Sequence, residues 1–68
     1  KDVDDWSPRD VADWLEVNGF GAFRDEFSEW EVDGDLLFEL ERGEVAQVLN
    51  MTGKEEQDKF FRAVQKLR

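Results

Sequence analysis

The sequence predicts an all-α fold, a compact bundle of five helices whose central members are short. Apolar residues recur at helical intervals of three and four along most of the 68-residue chain, and helix-capping residues stand at the expected boundaries. No segment has the alternating pattern of a strand. The predicted connections have two to four residues, which favours a globule over an elongated bundle.

The first helix is predicted from its two ends. Ser7 is a favourable N-cap, Pro8 suits the first helical position because its missing N–H needs no partner there, and Asp10 suits the first turn. Asn18-Gly19 is typical of a helix end. Between these ends, one apolar face is formed by Val11, Trp14 and Leu15.

Aromatic spacing predicts the second helix, and an acidic cap predicts the third. The second helix is expected from Phe20 to about Glu29, because a stripe at intervals of three, four and three is formed by Phe20, Phe23, Phe27 and Trp30. Asp33 is a favourable N-cap for a short third helix, with Gly34 relieving the tight turn and Asp35 in the first turn. The apolar residues of that helix are Leu36, Leu37, Phe38 and Leu40.

The last two helices differ in length. A short fourth helix is predicted from Glu44 to Leu49, with Val45, Val48 and Leu49 on its apolar face and Asn50 as a left-handed stop. Thr52-Gly53-Lys54-Glu55 has the capping-box pattern and opens the longest helix. Its buried side is predicted to contain Phe60, Phe61, Val64 and Leu67.

Composition excludes several function classes. The chain has no cysteine and no histidine, so disulfides, zinc sites built on thiolate or imidazole, and Cys- or His-based catalysis are absent. Eighteen acids against nine bases give a net charge of −9, which disfavours nucleic acid and anionic membrane as partners. We expect no enzyme activity, no cofactor and no small-molecule substrate.

The chain is predicted to be one domain over residues 1–68, with its core in residues 6–67, cut from a longer protein. No apolar run approaches the length of a membrane-spanning helix, and no signal-like segment is present. We therefore expect a soluble intracellular module, cytoplasmic or nuclear. Charge is unevenly distributed: residues 1–51 have a net charge of −11, and residues 52–68 have a net charge of +2.

The acidic stretch around Asp33 has three interpretations. As a calcium loop, positions one, three, seven, nine and twelve would be Asp33, Asp35, Glu39, Glu41 and Glu44. However, Leu37 and Phe38 occupy the positions that need an oxygen ligand and a glycine. A catalytic carboxylate pair would need a water-excluding pocket, which so small a core does not favour. The helix cap is therefore the preferred interpretation.

Trp30 has two interpretations of similar weight. It ends the second helix between Glu29 and Glu31. A partly exposed Trp surrounded by charge is typical of an interface hot spot. Alternatively, Trp30 closes the core as Trp14 does.

The motifs together resemble the SAM (sterile alpha motif) family. The resemblance extends from Trp6 to Leu67 and rests on Trp6-Ser7-Pro8, Asp10-Val11, Trp14-Leu15, Phe23, Phe27, Val32-Asp33-Gly34, Leu37-Phe38 and Leu40. It implies a five-helix bundle that binds other SAM domains, often head to tail, in polymers or rings. In that arrangement an acidic mid-loop surface meets the basic N-terminal end of the last helix.

The resemblance also implies which residues form the two surfaces. The mid-loop surface would comprise Trp30, Asp33, Asp35, Glu39, Glu41 and Glu44. The end-helix surface would comprise Gly53, Lys54, Lys59 and Arg62. Since some SAM domains instead bind RNA through basic patches, the acidic balance of this chain argues against RNA.

The start of the last helix departs from the family pattern. Its basic residues are diluted by Glu55, Glu56, Gln57 and Asp58, which makes a heterotypic partner with its own basic end helix a competitor to self-association. Two alternatives to SAM–SAM association remain at this point. One is a monomeric structural module without a SAM partner, and the other is a cation-responsive loop at residues 33–44.

Overall fold

Five α-helices are joined by short turns in the computed structural model, which describes residues 2–67. They are α1 (Pro8–Val17), α2 (Arg24–Glu29), α3 (Gly34–Glu39), α4 (Arg42–Gln47) and α5 (Lys54–Lys66). Two 3₁₀ turns, Val3–Asp5 and Gly21–Phe23, precede α1 and α2. The described residues contain no strand, and the predicted all-α class with short central helices is confirmed.

The ends of α1 are those that the sequence predicts. The Ser7 hydroxyl accepts a hydrogen bond from the Asp10 backbone N–H at 3.3 Å, and the Asp10 carboxylate accepts one from the Ser7 N–H at 3.0 Å. This is a reciprocal capping box. At the other end, Gly19 has a φ of +85°, the left-handed conformation that ends many helices.

The second helix begins later than predicted. Phe20 does not start it, because the Phe20 N–H donates to the Leu15 carbonyl at 2.7 Å and so completes the end of α1. The chain then forms the 3₁₀ turn before α2 starts at Arg24. The predicted end at Glu29 is confirmed.

The fourth helix lies two residues earlier than predicted. It begins at Arg42 rather than Glu44 and ends at Gln47 rather than Leu49. The reason is a second capping box, in which the Glu44 carboxylate accepts from the Glu41 N–H at 3.0 Å while the Glu41 side chain accepts from the Glu44 backbone. Asn50, with a φ of +62°, is the predicted left-handed stop.

The capping box predicted for α5 does not form. Gly53, not Thr52, is the N-cap, so the register of the predicted box is shifted by one residue, and no side chain caps the helix. Instead, the Gln57 side-chain amide donates to the Met51 carbonyl at 2.8 Å and holds the approach to α5.

The core is centred on Phe60 of α5. This side chain is fully buried, and four other rings surround it with centroid distances of 5.2–6.0 Å. Those rings belong to Trp14, Phe20, Phe27 and Phe61. Phe60 and Val64 are buried as predicted, whereas Phe61 and Leu67 are half-buried and pack against the core from its edge.

Gly34 has a different role from the predicted one. The left-handed residue in the turn before α3 is Glu31, with a φ of +50°. Gly34 is buried, and its N–H donates to the Trp6 carbonyl at 3.0 Å. A Cβ at this position would lie 1.6 Å from the Val3 carbonyl oxygen. Glycine is therefore required because the N-terminal 3₁₀ turn packs directly on α3.

We predict that Gly34→Ala lowers the free energy of unfolding by about 1–3 kcal/mol, the usual cost of overpacking. The matched control is Gly43→Ala in α4, where an added Cβ meets no atom within 4 Å. That control should raise stability by about 0.5–1 kcal/mol, because alanine loses less entropy in a helix. Urea unfolding of the two variants measures both changes, and equal stability of Gly34→Ala and wild type would contradict the packing argument.

Candidate protein-interaction site

The acids of the mid-loop surface have two different roles in the structure. Asp33 is the side-chain cap of α3, since its carboxylate accepts from the Leu36 N–H at 2.9 Å, as predicted. Glu41 and Glu44 are exposed but are engaged in the capping box of α4. Asp35 and Glu39 are exposed, and neither makes a hydrogen bond or ion pair among residues 2–67. These two carboxylates are thus the ones available to a partner.

Trp30 lies at the surface and does not close the core. Its side chain is 58% exposed, which contradicts the core interpretation. It lines a small groove of about 150 Å³ whose apolar residues are Trp30, Val32, Leu36, Leu40, Val48 and Leu49. Glu44 also lines this groove, so an apolar depression lies within the acidic mid-loop surface.

For Val48, another residue of this groove, the sequence prediction of burial was wrong. It was expected on the buried face of the fourth helix, yet it is 39% exposed. Val48 directly follows the last residue of α4, and it lies at the surface although its neighbours on the predicted face, Val45 and Leu49, are fully buried. Hydrophobic spacing alone cannot signal this, since a helix of six residues spans less than two turns.

The structure gives no support to a cation-responsive loop. No group of three or more acids within residues 2–67 is placed to hold a metal ion. Asp33 and Glu39 stand at opposite ends of α3, whose rise separates them by about 9 Å. The part of the chain that is described also contains no buried charged side chain, so no carboxyl group lies in an enclosed catalytic pocket.

The residues of the end-helix surface do not all share one face of α5. Lys54 is exposed at the first helical position, and Asp58 and Arg62 follow it at intervals of four along the same side. Lys59 is five residues from Lys54, a rotation of about 140°. It lines a different groove between α5 and the end of α1, to which Arg62 also contributes. The structure therefore places Gly53 and Lys54 together and Lys59 apart from them.

Arg42 is a residue of this region that the sequence did not single out. Its guanidinium pairs with the Asp58 carboxylate, lies 5.5 Å from the centre of the Phe61 ring, and contacts the Gln57 side chain at 3.4 Å. These contacts join the first turn of α4 to the first half of α5. Arg42 and Asp58 are sixteen residues apart in the chain, so no local pattern indicates the pair.

The hydrogen bond from Arg42 lowers the pKa of the Asp58 carboxyl group, and the nearby charges of Arg42, Lys54 and Arg62 act in the same direction. Its negative charge is therefore maintained and is compensated by Arg42. One of the acids that dilute the basic start of α5 is thus neutralised from outside the helix.

The lowered pKa predicts a pH-dependent contribution to stability. A folded-state pKa below the unfolded value means that the ionised carboxylate stabilises the fold above the ordinary carboxyl pKa of about 3.9, and that this contribution disappears as pH falls through the lowered value. Asp58→Asn should therefore unfold at a lower temperature than wild type at neutral pH, and the difference should vanish in strong acid. Thermal unfolding across this pH range measures it.

The matched control is Asp13→Asn, which removes an exposed acid of α1 outside this network. It should show no comparable pH-dependent difference. In an Arg42→Gln background, Asp58→Asn should cost much less than in wild type, because only the weaker effects of the Lys54 and Arg62 charges remain. A full cost in that background would mean that Arg42 is not the cause.

The chain has relatives in one family. The model of the SAM domain (sterile alpha motif) matches residues 4–68. NAD(+) hydrolase SARM1 of Danio rerio is 36% identical over 66 residues, which is 97% of this chain and 9% of that protein. Protein pob1 of Schizosaccharomyces pombe is 31% identical over 68 residues, 100% of this chain and 8% of that protein. The chain thus spans less than a tenth of these curated relatives.

A solved structure has the same fold. The crystal structure of the Scm-SAM and Sfmbt-SAM heterodimer superposes with a TM-score of 0.70 at 26% identity, covering 94% of this chain and 86% of that one. None of the helices described here has the length and apolar character needed to cross a membrane. The family match, the five-helix fold and this neighbour agree, and the chain belongs to the SAM (sterile alpha motif) family of protein-interaction modules.

Proposed function

We propose that this domain binds SAM domains head to tail, with its mid-loop surface against the N-terminal end of the partner's last helix. The observation that carries the proposal is the pair of exposed carboxylates at Asp35 and Glu39, which have no partner among residues 2–67 and are opposite in charge to Lys54 at the start of α5. Two different surfaces on one molecule form a heterologous contact, which propagates to a ring or a helix. The domain performs no catalysis of its own.

Charge supports the orientation of the contact. The net charge is −11 in residues 1–51 and +2 in residues 52–68. Complementary potentials steer encounter and fix orientation, and salt screens them over about 8–10 Å. Because Arg42 neutralises Asp58, the acid one turn after Lys54 does not cancel the positive end of the helix.

The class of partner is supported by the structural neighbour, which is a heterodimer of two SAM domains. The net charge of −9 argues against nucleic acid and anionic membrane as partners, because both require basic surfaces. The rival proposal is a monomeric structural module, which predicts that no charge change at either surface alters association.

A charge-swap experiment tests the proposal. Glu39→Lys should remove the mid-loop contact and Lys54→Glu the end-helix contact, so each variant alone should be monomeric where wild type associates weakly at low salt and high concentration. Mixed, the two variants retain one intact interface and should form a 1:1 dimer and nothing larger. Size-exclusion chromatography with light scattering, at low and high salt, measures the masses.

Both substitutions favour the fold, which separates association from folding. Lys at the last position of α3 and Glu at the first position of α5 each complement the helix dipole, by about 0.3–1 kcal/mol. The controls with matched charge changes are Asp13→Lys and Arg9→Glu, both exposed on α1 and outside the two surfaces. If these controls weaken association as much as the test variants, or if the mixture stays monomeric, the proposal is wrong.

A further inference from the structure

The apolar groove beside Trp30 is open at the surface of the domain. Its volume is about 150 Å³, which is the size of cavity that takes up one benzene-sized apolar group. Trp30 and Val48 on its border are 58% and 39% exposed. An apolar depression of this size therefore accommodates a single side chain, of the size of Leu, Met or Phe.

The start of α5 of a second copy has no such side chain. Residues 52–59 include no apolar residue at all. The apolar residues on either side, Met51 and Phe60, are both fully buried in the core. If a second copy docked as proposed above, its charges would meet the acids of the mid-loop surface, but the groove would stay unfilled.

The surroundings of the groove indicate the charge of its occupant. Glu44 lines the groove, and Glu29 and Glu31 are exposed on either side of Trp30. A group of the opposite sign is attracted to these acids, whereas another acidic segment is repelled. The segment that occupies the groove thus has one apolar side chain flanked by basic residues. Residues 52–59 of this chain lack that combination.

We propose that the groove binds an apolar side chain in the first turn of the last helix of a different SAM domain, one whose helix start is also basic. This inference rests on the proposed function and specifies its partner: the tight contact is heterotypic, and self-association is the weaker contact. Charge orients the two domains, and burial of the apolar side chain between Trp30 and Val48 supplies the additional affinity.

One interface can be isolated with the charge-swap variants. The acceptor is Lys54→Glu, in which the mid-loop surface is intact, and the donor is Glu39→Lys, in which the start of α5 is intact. A leucine is introduced into the donor on either side of Lys54, as Thr52→Leu or Glu55→Leu, since both positions are exposed. Glu55→Gln is the matched control, because it removes the same charge and adds no apolar group. Titration calorimetry gives each dissociation constant.

At least one leucine donor should bind the acceptor tenfold or more tightly than the Glu55→Gln donor. The gain should disappear when the acceptor also contains Val48→Gln, which leaves the charge of the surface unchanged. Trp30→Ala in the acceptor is a second test of the groove, and its exposed position makes loss of the fold a minor concern. Thermal unfolding of each variant verifies that it is folded.

Three results would overturn the inference. The first is that the leucine donors bind no more tightly than the Glu55→Gln donor, and the second is that the gain survives both groove substitutions. The third is that the unmodified donor already binds as tightly as the leucine donors. Each would show that the groove does not select an apolar group from another SAM domain. If binding depends on Glu39 and Lys54 but the leucine donors bind no more tightly, this inference is wrong and the proposed function is still supported. If no donor binds the acceptor, the proposed function and this inference are both wrong.

Discussion

The fold depends on the burial of one side chain, Phe60, among rings from α1, α2, the turn between them and its own neighbour in α5. A domain of this size buries a smaller fraction of its surface than a larger domain does, and this one has no disulfide to stabilise it. Tilted and edge-to-face contacts between large rings add to the gain from burial alone. Anchoring α1 and α2 on the middle of α5 leaves the first turn of α5 at the edge of the molecule, where Lys54 is exposed.

The same small core explains why apolar surface remains near α3 and α4. These two helices have six residues each, and their central side chains, Leu37 and Val45, fill the space that the aromatic cluster leaves. Trp30 and Val48 lie outside that space, and each directly follows the last residue of a helix. Large exposed apolar residues grouped in one depression and bordered by acids are uncommon on a monomer and typical of an interface.

Local signals were sufficient for most of the fold. The caps at Ser7 and Asp33 and the stop at Asn50 depend on residues within one turn of each other, and the sequence predicts all three correctly. The prediction failed at the start of α5, where the N-cap is Gly53 and not Thr52. In α4, a Glu pair that had been assigned only to the surface also forms the cap.

The interaction surfaces were less predictable because they depend on distant parts of the chain. The exposure of Val48 depends on where α4 ends, and the neutralisation of Asp58 depends on a partner sixteen residues away. The resemblance to the SAM family identified the acidic segment and the start of the last helix, but it could not separate Lys54 from Lys59 without the rotation of α5. Once α5 is known to start at Lys54, the helical repeat alone places Lys59 about 140° around the helix from Lys54.

Arg42 connects the two surfaces physically. It directly follows Glu41 of the mid-loop surface, and its guanidinium reaches Asp58 and Phe61 on α5, about one and two turns after Lys54. In a head-to-tail assembly, the rotation from one subunit to the next is set by the angle between the two surfaces of each subunit. Because the Arg42 contacts hold α4 against α5, they also fix the position of the acidic surface relative to the basic one. The packing of a single arginine thus contributes both to the stability of the domain and to the geometry of any assembly that it forms.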